Sequence, residues 1–196
     1  MPSDPVFRPR PRAVAALFLV VLPSLAAAGT LVEKTVAFVN RRPVLLSDLQ
    51  LSQALLKLDA AQALERSIDE ALMYEEAARL VREKPGEETI SAAVASLRER
   101  AGTGFGGPAL RRKALVQLAI ASYIDLRLRP LVRVEDAEVR KVFNERVGFD
   151  AETPPFSQMA PAIREMLEER ALDARIEEWV ADLRARADIR RPPAAR

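Results

Sequence analysis

The chain has 196 residues, enough for one domain with appendages, and its balance of 49% hydrophobic and 30% charged residues is that of an ordinary globular protein. Cysteine and histidine are both absent, which excludes disulfides, thiol nucleophiles, and thiolate or imidazole metal ligands. The formal charge of +2 comes from the first 28 residues, so residues 29–196 are neutral overall and give no electrostatic reason to expect nucleic acid or anionic lipid as a partner. No arrangement of Asp and Glu stands out as a metal or acid–base site. The sequence therefore predicts no catalytic residue, no metal and no other cofactor.

Residues 1–28 have the pattern of an export signal. Three arginines precede an apolar stretch at 13–22, and three alanines at 26–28 form a small-residue cleavage site. We expect cleavage after Ala28, which places the mature protein outside the cytoplasm and, in a bacterial cell, in the periplasm. The alternative is an uncleaved membrane anchor, but the apolar stretch is shorter than the roughly 20 residues that a spanning helix needs. No stable membrane insertion is expected after cleavage.

The mature chain opens with the pattern of a β-hairpin that leads into a helix. Strand-forming residues at 36–39 and an apolar run at 44–46 flank a polar, turn-prone segment at 40–43. Ser47 follows, and Gln50 three residues later completes the pattern of a capping box, in which each side chain bonds the backbone amide of the other residue. A two-stranded hairpin is only marginally stable in water, so we expect the helices downstream to cover it.

Six helices are predicted after the hairpin, at 48–58, 61–82, 87–101, 108–128, 135–146 and 157–187. The helix at 108–128 is apolar nearly all round, so we expect it to be the longest fully buried helix of the first half, or else to line a peptide groove with one face. The glycine-rich segment at 102–108 resembles a phosphate-binding loop. However, a helix precedes it and no Gly-Lys-Ser/Thr follows, so we interpret it as a helix–helix loop.

The last helix carries a clear apolar stripe, and a short strand should follow it. The stripe consists of Leu172, Ile176, Trp179, Val180 and Leu183. We expect Trp179 to be buried against the preceding helices, and residues 188–190 to pair beside the strand at 36–39. The predicted fold class is therefore mainly α: a multi-helix domain with a small N-terminal β-hairpin joined by a short C-terminal strand, and a long C-terminal helix that packs back on the N-terminal helices.

Five segments of the chain form an ordered set. They are VAFVNRRPVLLSDL at 36–49, SIDEALMYEEA at 67–77, GEETISAAVASL at 86–97, RLRPLVRVEDAEV at 127–139 and LDARIEEWVADLRARADI at 172–189. In this order they resemble the N-terminal domain, and then the closing helix and strand, of the SurA-type periplasmic chaperones. The resemblance covers most of residues 33–190.

The chain also departs from the pattern of that family. Family members usually carry one or two parvulin-type prolyl isomerase domains between the N-terminal region and the final helix, and here only a linker at 148–156 occupies that place. Parvulin sites draw on His and often Cys, and this chain has neither. The predicted organisation is a signal peptide at 1–28, a helical chaperone domain at 29–147, the linker at 148–156, and a helix and strand at 157–191 that complete the same domain.

The resemblance implies that the protein is not an enzyme and holds unfolded exported polypeptides without ATP, outer-membrane β-barrel precursors above all. Flexible Met and aromatic side chains suit such a surface. The candidates are Met73, Tyr74, Tyr123, Phe143, Phe149, Phe156, Met159 and Met166. Each of them has a second interpretation as a core or linker residue. Two other functions stay open: an enzyme related to peptidyl-prolyl cis-trans isomerases, and an envelope adaptor with one fixed protein partner.

Overall fold

The computed structural model describes residues 33–80, 84–146 and 154–192, and within these ranges the chain is mainly helical. A hairpin opens the fold: β1 (Thr35–Val39) and β2 (Arg42–Leu45) pair antiparallel across a two-residue turn. Asn40 begins this turn with a φ of 55°, a left-handed conformation that Asn tolerates better than most residues. The turn is shorter than the four residues predicted, because Arg42 and Pro43 lie inside β2 and not in the turn.

The two ends of the described chain meet in one small sheet. The last strand, β3 (Ile189–Arg190), pairs antiparallel with β1, so that the strand order is β2-β1-β3. Ile189 lies opposite Val39, and Arg190 lies opposite Phe38. This pairing confirms the prediction that the C-terminal strand joins the opening hairpin.

Four helices follow the hairpin: α1 (Leu46–Leu56), α2 (Ala60–Leu80), α3 (Glu87–Ala101) and α4 (Gly107–Tyr123). The predicted capping box at the start of α1 is wrong. The helix begins directly after β2, with Leu45 at the N-cap and no side-chain cap, so Ser47 falls inside the first turn. Its hydroxyl donates to Glu33 and accepts a hydrogen bond of 2.9 Å from Nη2 of Arg112.

The expectation of a fully buried helix over 108–128 is also wrong. The α-helical part ends at Tyr123, and the chain continues as a wider π-helical turn (Ile124–Leu128) and a 3₁₀ turn (Arg129–Leu131). Pro130 offers a physical reason, because a proline ring clashes with the carbonyl four residues before it, here that of Leu126. Within the widened turn the Leu126 side chain is 67% exposed. Of the helices in the described ranges, α2 is longer than α4.

The main core lies between the sheet, α2, α4 and the second half of the last helix, α6 (Phe156–Ala185). Trp179 of α6 stacks face to face on Tyr123 of α4, with ring centroids 4.5 Å apart and planes 8° from parallel. It is 8% exposed, which confirms its predicted burial. A smaller core joins α1, α3 and α4 and contains Leu51, Leu97, Leu110 and Ala114.

The first half of α6 pairs with α5 (Asp136–Arg146) and forms a helical arm. Val139 on α5 and Ile163 on α6 are buried, whereas the main core takes residues of α6 only from Leu172 onward. At 30 residues, α6 is about 45 Å long, so it reaches well beyond the core. Neither α6 nor any other helix in the described ranges combines the length and apolarity needed to cross a membrane.

Candidate functional site

A recess of about 250 Å³, here called the hairpin cavity, opens beside β2. All four residues of β2 line it, and α1, α2 and α4 supply the other walls. The lining residues are Arg42, Pro43, Val44, Leu45, Asp48, Ser67, Glu70, Ala71, Tyr74, Arg112, Lys113 and Val116. One part of the wall is therefore aliphatic, while the remainder carries charged and hydroxyl groups.

A buried polar network sits in this wall. Lys113 of α4 is 5% exposed, pairs with Glu70 of α2 and donates a 3.0 Å hydrogen bond to the hydroxyl of Ser52. Ser67 lies 3.3 Å from Ser52, oxygen to oxygen. A lysine beside a serine can activate the hydroxyl for nucleophilic attack when its amine accepts the proton. Here the ammonium is paired with a carboxylate and Ser52 is fully buried, so this arrangement fits a structural link between helices.

Arg112 and Asp48 form a second charged group at the cavity. Nη2 of Arg112 lies 3.6 Å from Oδ1 of Asp48 and 3.4 Å from Oε2 of Glu33. Burial raises the pKa of Asp48, and the positive charge of Arg112 opposes this effect without cancelling it. The Nε of Arg112 is buried and finds no hydrogen-bond acceptor among the described residues. The Nε–H group of Arg112 is therefore a hydrogen-bond donor without an acceptor in the described part of this wall.

Arg42 lies at the cavity above an aromatic ring. Its guanidinium carbon is 4.8 Å from the centroid of Tyr74. Within the described residues Arg42 has no hydrogen bond or ion pair, so its charge has no carboxylate partner there. A cation held over a ring in this way keeps its hydrogen-bond donors available to a ligand.

A second, more apolar surface lies at the widened turn after α4. Leu80, Tyr123, Leu126 and Arg127 line a recess of about 190 Å³, here called the leucine recess. Leu80 is 46% exposed and Leu126 is 67% exposed, and Leu131 on the following 3₁₀ turn is 59% exposed. Large exposed apolar side chains that lie together commonly mark a binding surface.

The seven candidate residues that the structure describes do not come together in one groove. Tyr74 lines the hairpin cavity, and Tyr123 lines the leucine recess although only 8% of it is exposed. Met73 is 2% exposed and belongs to the main core, so in this conformation it cannot contact a polypeptide at the surface. Its side chain points from α2 into the core, in line with its second interpretation as a core residue.

The other candidates belong to the arm, with one exception. Phe143 of α5 meets Phe156 of α6 edge to face, with centroids 5.3 Å apart, and Arg140 lies over Phe156. Met159 and Met166 are half-buried on the same stretch of α6. Phe149 lies outside the described residues.

Sequence reasoning missed the charged wall of the hairpin cavity and the exposed leucines. One signal was present: Arg112 and Lys113 are adjacent charges near the start of a helix that is otherwise apolar on several faces. Two charged side chains inside a core helix need hydrogen-bond or ion-pair partners, or else a functional role. The exposure of Leu126 had no comparable signal, because it depends on the shape of the widened turn.

Comparison with protein-family models and with curated protein sequences finds no match to this chain. Among the described residues, no three acidic side chains are grouped as they would be around a metal ion.

Proposed function

We propose that this protein is an ATP-independent periplasmic chaperone of the SurA type, which holds unfolded exported polypeptides, outer-membrane β-barrel precursors among them, without isomerase activity. The observation that carries the proposal is the leucine recess. Its leucines contribute little to the stability of the fold while they are exposed, but they can bury apolar side chains of another chain. The five ordered segments that resemble this family support the same interpretation.

The leucine recess, together with the exposed Leu131 on the following turn, offers the weak binding that suits a holding chaperone. Complete burial of a leucine side chain yields about 1.5–3 kcal/mol. Leu80, Leu126 and Leu131 are about half exposed or more, so a client that covers them gains roughly 3–5 kcal/mol before the costs of association. A gain of this size corresponds to millimolar affinity or weaker. Contacts this weak allow release without an energy source.

The arm offers a second weak surface to the same client. Phe143, Phe156, Met159 and Met166 are all half-buried there, and methionine side chains adapt to varied partners. An unfolded chain is long enough to touch the arm and the leucine recess at once. The second contact is then intramolecular, which raises the overall affinity without any strong single site.

Suppression of aggregation tests this proposal. Protein without residues 1–28 should slow the aggregation of a denatured outer-membrane barrel protein, followed by light scattering, at a near-stoichiometric ratio. The double variant Leu126→Ser/Leu131→Ser should protect several-fold less well. Leu56→Ser is the matched control, because Leu56 is a 45% exposed leucine on α1. All three substitutions remove exposed side chains, so little stability should be lost.

Two results would contradict the proposal. One is the absence of protection at several-fold excess over the client. The other is equal protection by the double variant and the Leu56→Ser control, which would place client binding elsewhere. A proline-limited peptide assay should show no turnover above background, and measurable turnover would favour the isomerase alternative.

A further inference from the structure

The hairpin cavity has a different chemistry from the leucine recess, and it supports an inference that does not depend on the chaperone proposal. We propose that this cavity binds a carboxylate carried on a short apolar group. The C-terminal residue of a polypeptide and a small organic acid both have this chemistry.

The charges around the cavity favour an anion over a cation. Of its two acids, Glu70 is paired with Lys113, and Asp48 faces Arg112. Among the described residues, the guanidinium of Arg42 has no hydrogen-bond or ion-pair partner, and the buried Nε of Arg112 has none either. A carboxylate in the cavity can accept hydrogen bonds from the guanidinium of Arg42, which suits it well because its donors match the two oxygens.

The remaining wall suits a short apolar group. Val44, Leu45, Ala71 and Val116 line it together with the ring of Tyr74. The volume of about 250 Å³ lies just below the range of typical small-molecule sites, roughly 300–1,000 Å³. This volume accommodates one side chain with its carboxylate better than an extended segment.

Pro43 disfavours the other obvious occupant, an added β-strand. β2 is at the edge of the sheet, and an extended peptide could in principle pair along it. Proline has no backbone N–H, so an added strand would lack one backbone hydrogen bond along a strand of only four residues. A ligand that enters end-on through its carboxylate needs no ladder.

Calorimetric titration of the purified protein tests this inference. The probes are acetyl-Ala-Ala-Phe with a free carboxylate, the same peptide with a C-terminal amide, and hexanoate. The free acid should bind at least about tenfold more tightly than the amide, as expected for a hydrogen bond to a charged group. Arg42→Ala should remove this preference. Arg41→Ala is the matched control, an exposed neighbouring arginine that does not line the cavity, and it should keep the preference.

Each outcome has a definite meaning. Binding of hexanoate with the same dependence on Arg42 supports the inference and identifies a small acid as sufficient. Binding of the acidic peptide alone supports it and identifies a chain end. Equal binding of acid and amide, no binding of any probe, or equal losses in the two arginine variants would overturn it. None of these results depends on whether the protein suppresses aggregation.

Discussion

Trp179 holds the closing helix to the rest of the fold, and its replacement gives the sharpest test of that architecture. The side chain is 8% exposed and stacks on Tyr123 of α4. Burial of a large aromatic side chain removes roughly 150–250 Å² from water. At about 25 cal/mol per Å² this is about 4–6 kcal/mol, an upper value because unfolded chains are already partly compact. We therefore expect Trp179→Ala to lower the free energy of unfolding by about 3–5 kcal/mol.

Trp179→Phe separates the contribution of the ring from that of the indole N–H. The Nε1 of Trp179 is buried without a hydrogen-bond acceptor among the described residues. An unsatisfied buried donor costs about 1–3 kcal/mol. Phenylalanine loses some contact area but removes this donor, so the two effects oppose each other. We expect Trp179→Phe to lie within about 1 kcal/mol of the wild type.

Urea unfolding followed by far-ultraviolet circular dichroism measures both variants. Fluorescence does not suit the comparison, because Trp179 is the only tryptophan in the sequence. Domains of this size are stable by about 5–15 kcal/mol. The loss of stability in Trp179→Ala should therefore lower the urea midpoint of unfolding by much more than the experimental error. A loss below about 1 kcal/mol would refute the reasoning and mean that the closing helix is loosely attached. A loss in Trp179→Phe as large as that in Trp179→Ala would refute the argument about the indole donor.

Three further predictions concern charged groups, and urea unfolding measures each of them. Arg184→Ala removes ion pairs to Glu65 and Asp69 of α2 and should cost about 1 kcal/mol at neutral pH, since solvent screens these partly exposed groups. The Arg184 hydrogen bond lowers the pKa of Glu65 below 4.5, so this cost should shrink as pH falls through the lowered value; a pH-independent cost would contradict the linkage. Burial raises the pKa of Asp48 above 3.8, so the contribution of Asp48 to stability should fall as pH rises from 3.8 through the raised value, and the stability of Asp48→Asn relative to the wild type should rise across that window. Lys113→Met leaves Glu70 as an unpaired charge that is largely shielded from water, with 12% of its side chain exposed, and should cost about 3–5 kcal/mol. The double variant Lys113→Met/Glu70→Leu should recover most of that loss of stability. If it does not, altered packing and not the unpaired charge causes the loss.

Patterns that repeat along the chain were enough to predict most of the fold. The apolar stripe of the last helix identified the face that enters the core, and Trp179 and Leu183 are both buried on it. The strand after that helix also lies where it was predicted, beside β1. The capping box failed because it depends on the single residue at which β2 ends. Local sequence does not fix that residue, since hairpin pairing and helix formation compete for it.

The candidate site was less predictable, because residues of one chemical class have different environments. Met73 and Tyr74 are neighbours on α2, yet the first lies in the core and the second lines the hairpin cavity. Adjacent residues on a helix point about 100° apart, so the packing of surrounding helices decides which one reaches the surface. Asn40 shows the same limit. Its sequence context indicated a turn, but not that its Nδ2 donates to Glu75 at 2.7 Å or that its Oδ1 accepts from the amide of Asp188 at 3.0 Å.

The attachment of α6 explains why the chaperone proposal needs no domain between α5 and α6. The main core uses α6 only from Leu172 onward, and beyond that helix Asn40 bonds the backbone of Asp188 and holds β3 in the sheet. α5 packs chiefly on the first half of α6, away from these contacts. We therefore expect that chain added or removed at the junction of α5 and α6 would leave the core and the sheet unchanged. An isomerase domain at that junction would be carried by the arm, so the chaperone proposal does not depend on one. If the protein without residues 1–28 fails to protect an unfolded barrel protein, these surfaces are insufficient for the function proposed here.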